Sequence, residues 1–222
     1  MAASMGRSIG CHHACMQVTV VDHPLAAQLL TRLRDERTDR AGFRRAMDDL
    51  SGILVYEASR NVEVEQIDVV TPMGPTTGTQ VARPPLVVPV LRAGLGMLGG
   101  VLRHLPETDT GFIGVARNEA TFAPEPYMNS VPEQLGGRPV LVLDPMLATG
   151  GSLEHSCRIL ADRGAGPLTA VCVLAAPEGV ARLEASGLVA HVVTASIDER
   201  LDDQAYIVPG LGDAGDRLFG TA

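Results

Sequence analysis

One stretch of this chain has the residue types and spacing to hold a phosphorylated sugar. Pro139-Val-Leu-Val-Leu-Asp-Pro-Met-Leu-Ala-Thr-Gly-Gly-Ser152 is an apolar run, a single acid, and then a glycine-rich turn carrying two hydroxyls. The turn opens onto segment 153–163, whose apolar residues recur at helical spacing. Backbone N–H groups at a helix start, the positive end of the helix dipole and the Thr149 and Ser152 hydroxyls together suit an anion. The pattern is not a Walker phosphate loop, because that loop needs a lysine and the chain has none. Asp144 ends the apolar run, in the place where open α/β sheets bind ligands, and is set to accept hydrogen bonds from sugar hydroxyls. The combination reads as a site for a ribose carrying a 5′-phosphate.

On these residues, Asp144-Pro-Met-Leu-Ala-Thr-Gly-Gly-Ser152 resembles the motif with which uracil phosphoribosyltransferases bind 5-phosphoribosyl 1-diphosphate (PRPP). Related type I phosphoribosyltransferases carry two adjacent acids there, whereas here Asp144 is followed by Pro145. The resemblance implies PRPP contacts from Asp144, Pro145, Met146, Leu147, Ala148, Thr149, Gly150, Gly151 and Ser152. Three further stretches are similar to the same family. Pro89 to Met97 matches its Pro-x-Leu-Arg-Ala-Gly-Leu-Gly-Met loop, which implies that Arg92 contacts the diphosphate. Segment 115–127 is similar to a proline-containing hood over the active site and implies a second diphosphate contact from Arg117. It departs from the family pattern at Ala116, Ala120, Phe122 and Met128-Asn-Ser130. Tyr206-Ile-Val-Pro-Gly-Leu-Gly-Asp-Ala-Gly-Asp-Arg217 resembles the uracil-binding loop, which implies base contacts from Ile207, Gly212, Asp213 and Ala214, with Asp213 also reaching PRPP.

The expected activity is transfer of the phosphoribosyl group from PRPP to uracil, with Asp144, Arg92 and Arg117 at the reacting centre. Mg²⁺ is expected as cofactor, held through PRPP rather than by direct side-chain ligation. The resemblance also implies a homodimer or higher homo-oligomer, and raises activation by GTP without assigning residues to it. Two other readings stand beside this one. A regulator could keep the PRPP site without turning it over. A nucleotide-cofactor oxidoreductase would use Gly94-Leu-Gly-Met-Leu-Gly99, which matches G-x-G-x-x-G and precedes Glu119 by about twenty residues. Against the oxidoreductase, four residues separate the strand from the tight turn, and Pro89 lies in that strand.

Composition bounds the partners. With 18 arginines against 26 acids, the formal charge of −8 disfavours a nucleic-acid binder that works by phosphate neutralisation. All cationic work falls to arginine, whose planar fork matches diphosphate oxygens. Apolar residues make up 45% of the chain but aromatics only 3%, so the core must be aliphatic. No apolar run reaches the roughly 18 residues of a membrane span, and four cysteines in a chain of this length do not make a disulfide scaffold. A cytoplasmic protein without membrane contact is the expectation. Residues 1–15 fit no core pattern, and their Cys11-His-His-Ala-Cys15 cluster reads as part of an extension rather than a metal site. Residues 16–222 read as one domain.

The positioning elements follow from periodicity. A helix is expected after Asp22-His-Pro24, capped near Asp22, and a second after Asp39 with Phe43, Ala46, Met47, Leu50 and Leu54 on one face. Segment 61–70 alternates like a strand and 71–78 reads as a loop from its Pro and Gly content. Strands are then expected at 86–90, 111–115, 140–143, 168–174 and 190–194, with helices at 96–104, 153–163 and 177–185. The glycine-rich residues after 205 read as a loop. This rhythm predicts an α/β fold of the type I phosphoribosyltransferase kind, a parallel sheet flanked by helices, with an N-terminal helical region, a β-hairpin hood and a C-terminal base-binding loop.

Overall fold

The computed structural model describes the backbone of residues 16–117 and 124–221, and their side chains except at 116, 117 and 124–126. The extension 1–15, the Cys11–Cys15 cluster and the hood tip with Glu119, Thr121 and Phe122 lie outside the described residues. In chain order the elements are β1 (Gln17–Val20), α1 (Pro24–Arg34), α2 (Arg40–Ala58), β2 (Val64–Thr71), β3 (Gly74–Val81), β4 (Leu86–Leu91), α3 (Leu95–His104), β5 (Ile113–Arg117) and β6 (Pro124–Asn129). There follow β7 (Val140–Leu143), β8 (Met146–Leu147), α4 (Gly151–Asp162), β9 (Leu168–Ala175), α5 (Pro177–Ser186), β10 (His191–Ile197), β11 (Arg200–Leu201), β12 (Ile207–Val208) and α6 (Ala214–Phe219).

The main sheet runs β1-β10-β9-β7-β4-β5-β6, with β8 also paired to β9. Its pairings are parallel except for the antiparallel β5–β6 hood hairpin. The four residues of β7 are all buried, as a strand covered on both faces requires. Alternation then sorts side chains between two cores. Val87, Leu141, Leu143, Val171 and Val193 pack with α1, α2 and α3 on one face, while Leu86, Val88, Val140, Val142 and Ala170 pack with α4 and α5 on the other. Among the described residues, Phe43 is the one aromatic with a fully buried side chain, which bears out the aliphatic core.

Three local expectations need correction. Helix α1 is capped by His23, whose Nδ1 accepts the Leu25 N–H at 3.1 Å, and not by Asp22. Segment 71–78 is mostly strand, since β2 and β3 form a hairpin turned by Pro72 and Met73. Pro75 is tolerated there because each strand of a two-stranded ribbon has a free edge, so a missing N–H need not break a ladder bond. The residues after 205 are not only loop, for they include β12, paired with β11, and the short helix α6. Strand β1 carries little sequence signal, being a four-residue, largely exposed sheet edge with no long apolar pattern.

Candidate active site

The carboxyl ends of β4 and β7 lie side by side, with Pro89 opposite Leu143 in the parallel register. Asp144 therefore stands next to the Arg92 loop at the edge of the sheet where the strands release their chains. Its Oδ1 accepts one hydrogen bond, from the Met146 N–H at 3.3 Å. Burial pushes its carboxyl up to about 7, against which that single bond does little. An acid so poorly solvated at a strand end is poised for new hydrogen-bond donors such as sugar hydroxyls.

The turn after it is built for an anion. Gly150 takes φ +76°, a left-handed conformation that most side chains resist, and no side chain caps α4. The first N–H groups of α4 are thus left facing the turn formed by Ala148, Thr149 and Gly150.

The glycines after Arg92 serve packing. A Cβ on Gly94 would lie 2.6 Å from the Val90 carbonyl oxygen and inside contact of the Leu143 carbonyl. Gly96 faces Leu218 of α6, and Gly99 and Gly100 face Asp48 of α2. Glycines at these positions let α3 lie against β4, α2 and α6, and Gly96, Gly99 and Gly100 have protein where a dinucleotide would have to lie. The oxidoreductase reading loses its footing there. Arg92 itself follows a cis Leu91–Arg92 peptide bond and is half exposed, with Nη2 3.9 Å from Asp216 Oδ1 of α6. Arg117 closes the described part of β5, and its side chain lies outside the described residues.

Three of the expected segments meet around one cavity of about 310 Å³. Ala93 comes from the arginine loop, Met146 and Ala148 from the segment leading into the glycine turn, and Ile207, Gly212, Asp213 and Ala214 from the C-terminal segment. Gln204, Ala205, Tyr206 and Gly215 complete the wall. Asp213 also caps α6, its Oδ1 accepting the Asp216 N–H at 2.8 Å. The structure thus brings together every residue read from the sequence as a uracil contact, and sets three of the expected PRPP-contact residues, Met146, Ala148 and Asp213, against the same space.

What holds the C-terminal wall was not legible in the sequence. Asp198, buried at the end of β10, accepts Arg34 Nη1 at 2.7 Å and Nη2 at 2.5 Å, the Ser196 hydroxyl at 2.9 Å and the Gly210 N–H at 2.8 Å. Arg34 Nη1 also donates to the Gly210 carbonyl at 2.8 Å. Burial alone would raise the Asp198 carboxyl, but the hydrogen bonds from Arg34, Gly210 and Ser196 outweigh it and hold the group below its ordinary value. Arg217 braces the same loop by donating to the carbonyls of Leu33, Leu211 and Asp35 while its guanidinium lies 4.3 Å from the centre of the Phe43 ring. Both clamps tie the 209–212 loop to the end of α1.

A strand-end acid, a glycine turn at a helix start and a base-sized cavity closed by a C-terminal loop, all on a parallel sheet flanked by helices, define a type I phosphoribosyltransferase. Among solved structures, the AQ2163 protein from Aquifex aeolicus superposes with a TM-score of 0.87 at 37% identity, covering 93% of this chain and 99% of that one. The uracil phosphoribosyltransferase family profile matches residues 20–221, and the chain belongs to that family. It is 56% identical over 205 residues to the uracil phosphoribosyltransferase of Corynebacterium diphtheriae, covering 92% of this chain and 97% of the relative. It is 58% identical over 210 residues to that of Nocardioides sp., covering 92% and 99%.

Proposed function

We infer that the chain transfers the 5-phosphoribosyl group of PRPP to uracil, forming UMP and pyrophosphate in pyrimidine salvage, the activity for which its family is named. The observation that supports the residue assignment is the cavity where Ala93, Met146 and Ala148 face Ile207, Gly212, Asp213 and Ala214. A base held in that cavity would lie beside both the 145–152 turn and the Arg92 loop. In the reaction the bond from C1′ to the diphosphate oxygen breaks, the C1′–N1 bond to uracil forms, and the N1 proton leaves. No protein nucleophile is needed. The chain supplies charge placement: Arg92 and Arg117 meet the departing diphosphate, Asp144 orients the ribose hydroxyls, and residues 145–152 hold the 5′-phosphate. Asp213 fixes the start of α6, and the glycines beside it let main chain line the base pocket.

Mg²⁺ fits this donor set. The described residues contain no cluster of three side-chain ligands, but a hard cation that keeps water and phosphate oxygens needs few protein ligands. Bound through PRPP, it would neutralise the diphosphate as that group leaves, while Asp144 holds the hydroxyls on the ribose side.

Assembly as a homo-oligomer belongs to the same reading. It is supported by the β2–β3 hairpin, a separate two-stranded sheet whose Val70 and Met73 are 85% and 95% exposed. Such a ribbon is marginal alone in water and gains stability against a partner. Sedimentation equilibrium on wild type and a Val70→Ser, Met73→Ser double variant tests this, and a monomeric wild type refutes it. None of the described helices is long and apolar enough to cross a membrane. The activity itself is tested by nucleotide formation from PRPP with uracil, cytosine, adenine, guanine and hypoxanthine in turn. Turnover of uracil alone is expected, and PRPP binding without turnover of any base would leave a regulator instead.

A further inference from the structure

The phosphate turn presents a charge problem. A ribose 5-phosphate bears close to two negative charges at neutral pH, yet residues 145–152 contain no cation, and the chain has no lysine to supply one. Two acids stand nearby, Asp144 before the turn and Glu154 in the first turn of α4. Hydroxyls and N–H dipoles alone would have to outweigh both.

The neighbouring helix carries the missing charge. Arg182 of α5 lies over the turn, its Cδ 3.4 Å from the position a Cβ on Gly150 would occupy. Its Nη1 is 3.5 Å, and the Thr149 hydroxyl 3.7 Å, from the corresponding position on Gly151. One end of the guanidinium is anchored, for Nε donates to Glu154 Oε2 at 2.6 Å. The other Glu154 oxygen accepts Arg158 Nη2 at 2.9 Å. Glu154 is therefore neutralised by two arginines, with one positive charge left over beside the turn. Those two hydrogen bonds hold its carboxyl below its ordinary range against the opposing effect of burial. Among the described residues, Nη1 and Nη2 of Arg182 have no hydrogen-bond partner.

We propose that Arg182 is a further binding residue for the 5′-phosphate of PRPP and UMP, positioned over Gly151 by Glu154. The proposal rests on the reading of residues 145–152 as the 5′-phosphate turn. Fork geometry explains why arginine suits the position. Nε can stay on Glu154 while the Nη atoms turn to phosphate oxygens, a division of labour that a single ammonium cannot reproduce.

The test uses ribose 5-phosphate and inorganic pyrophosphate as inhibitors competing with PRPP, one for each end of the substrate. Arg182→Ala is expected to raise KM for PRPP and Ki for ribose 5-phosphate on the order of tenfold, the effect of losing one charged hydrogen-bonding partner. Ki for pyrophosphate and KM for uracil should stay at the wild-type values. Arg182→Lys should recover part of the loss, and the effect of Arg182→Ala should shrink at high salt. A mere α4–α5 brace would instead lower the melting temperature or weaken all ligands alike, and that result overturns the proposal. Ser152→Ala separates the two levels of the argument. If it weakens ribose 5-phosphate while Arg182→Ala does not, Arg182 is no phosphate ligand and the turn assignment stands. If neither variant weakens it, the turn has been misassigned and the proposal falls with it.

Discussion

Replacing Asp144 by Asn should abolish most of the activity and yet stabilise the ligand-free protein, increasingly so as pH rises. The carboxyl accepts one long hydrogen bond and is pushed by burial from 3.8 up to about 7. Between those values the folded chain retains a proton that the unfolded chain has released. Folding is then linked to proton uptake, and wild-type stability must fall as pH rises through that window. The full difference sets a ceiling of about 4 kcal/mol above pH 7. Asp144 is half-buried rather than fully enclosed, so solvent relieves some of this, and about 1–2 kcal/mol is expected. Asn keeps the acceptor for the Met146 N–H but carries no charge to desolvate. Urea denaturation of both proteins from about pH 4 to pH 8 should show curves that coincide in acid and separate toward alkali, the variant being the more stable. Initial rates on the same preparations should show the loss of turnover. A stability difference that is flat with pH, or an Asn enzyme of wild-type rate, would refute the reasoning.

Arg92→Lys should lose much of the activity although charge is kept, because an ammonium cannot span diphosphate oxygens; PRPP kinetics at saturating uracil decide it, and wild-type constants would exclude Arg92 as ligand. Cytosine should be rejected by roughly 10⁴ in kcat/KM, since its amino group and N3 reverse two of the three hydrogen-bond partners that main chain at 207–214 offers uracil. Gly212 takes φ +79°, so Gly212→Val should weaken uracil more than PRPP, and a defect confined to PRPP would argue against backbone readout. Asp198→Ala should destabilise by about 3 kcal/mol near neutrality by leaving the Arg34 charge without its carboxylate, with the cost shrinking as pH drops below the carboxylate range, the opposite pH trend to Asp144. Cys157, pushed by burial to about 12, and Cys172, raised well above its ordinary value, should both resist thiol reagents until the protein unfolds.

The contrast between Asp144 and Asp198 shows which parts of the site a sequence exposes. Asp144 could be read because its chemistry is local: the strand that carries it, the turn that follows and the helix start that completes the cradle occupy one continuous stretch, so residue types and periodicity state the geometry directly. The same holds for Gly150, whose left-handed turn sits where a glycine pair announced it. Asp198 has no such neighbours. Its partner Arg34 is 164 residues away, and the group it orders, Gly210, is linked to it only through the folded sheet. In sequence Arg34 is one of several arginines near the end of α1, and no residue pattern sets it apart from Arg32. The glycines at 94, 96, 99 and 100 illustrate the converse. Their spacing suggested a nucleotide fingerprint, but spacing along a chain cannot tell approach to a ligand from approach to a helix, and here the approach is to α2 and α6. These glycines matter to the site all the same. Helix α6 touches Gly96 through Leu218 and carries Asp216, which lies 3.9 Å from Arg92. A side chain at Gly96 must therefore push aside the buried Leu218 side chain, which anchors the helix beside the cavity, so Gly96→Val should impair uracil binding without touching the base, and uracil KM against PRPP KM in that variant measures how firmly α3 sets the pocket.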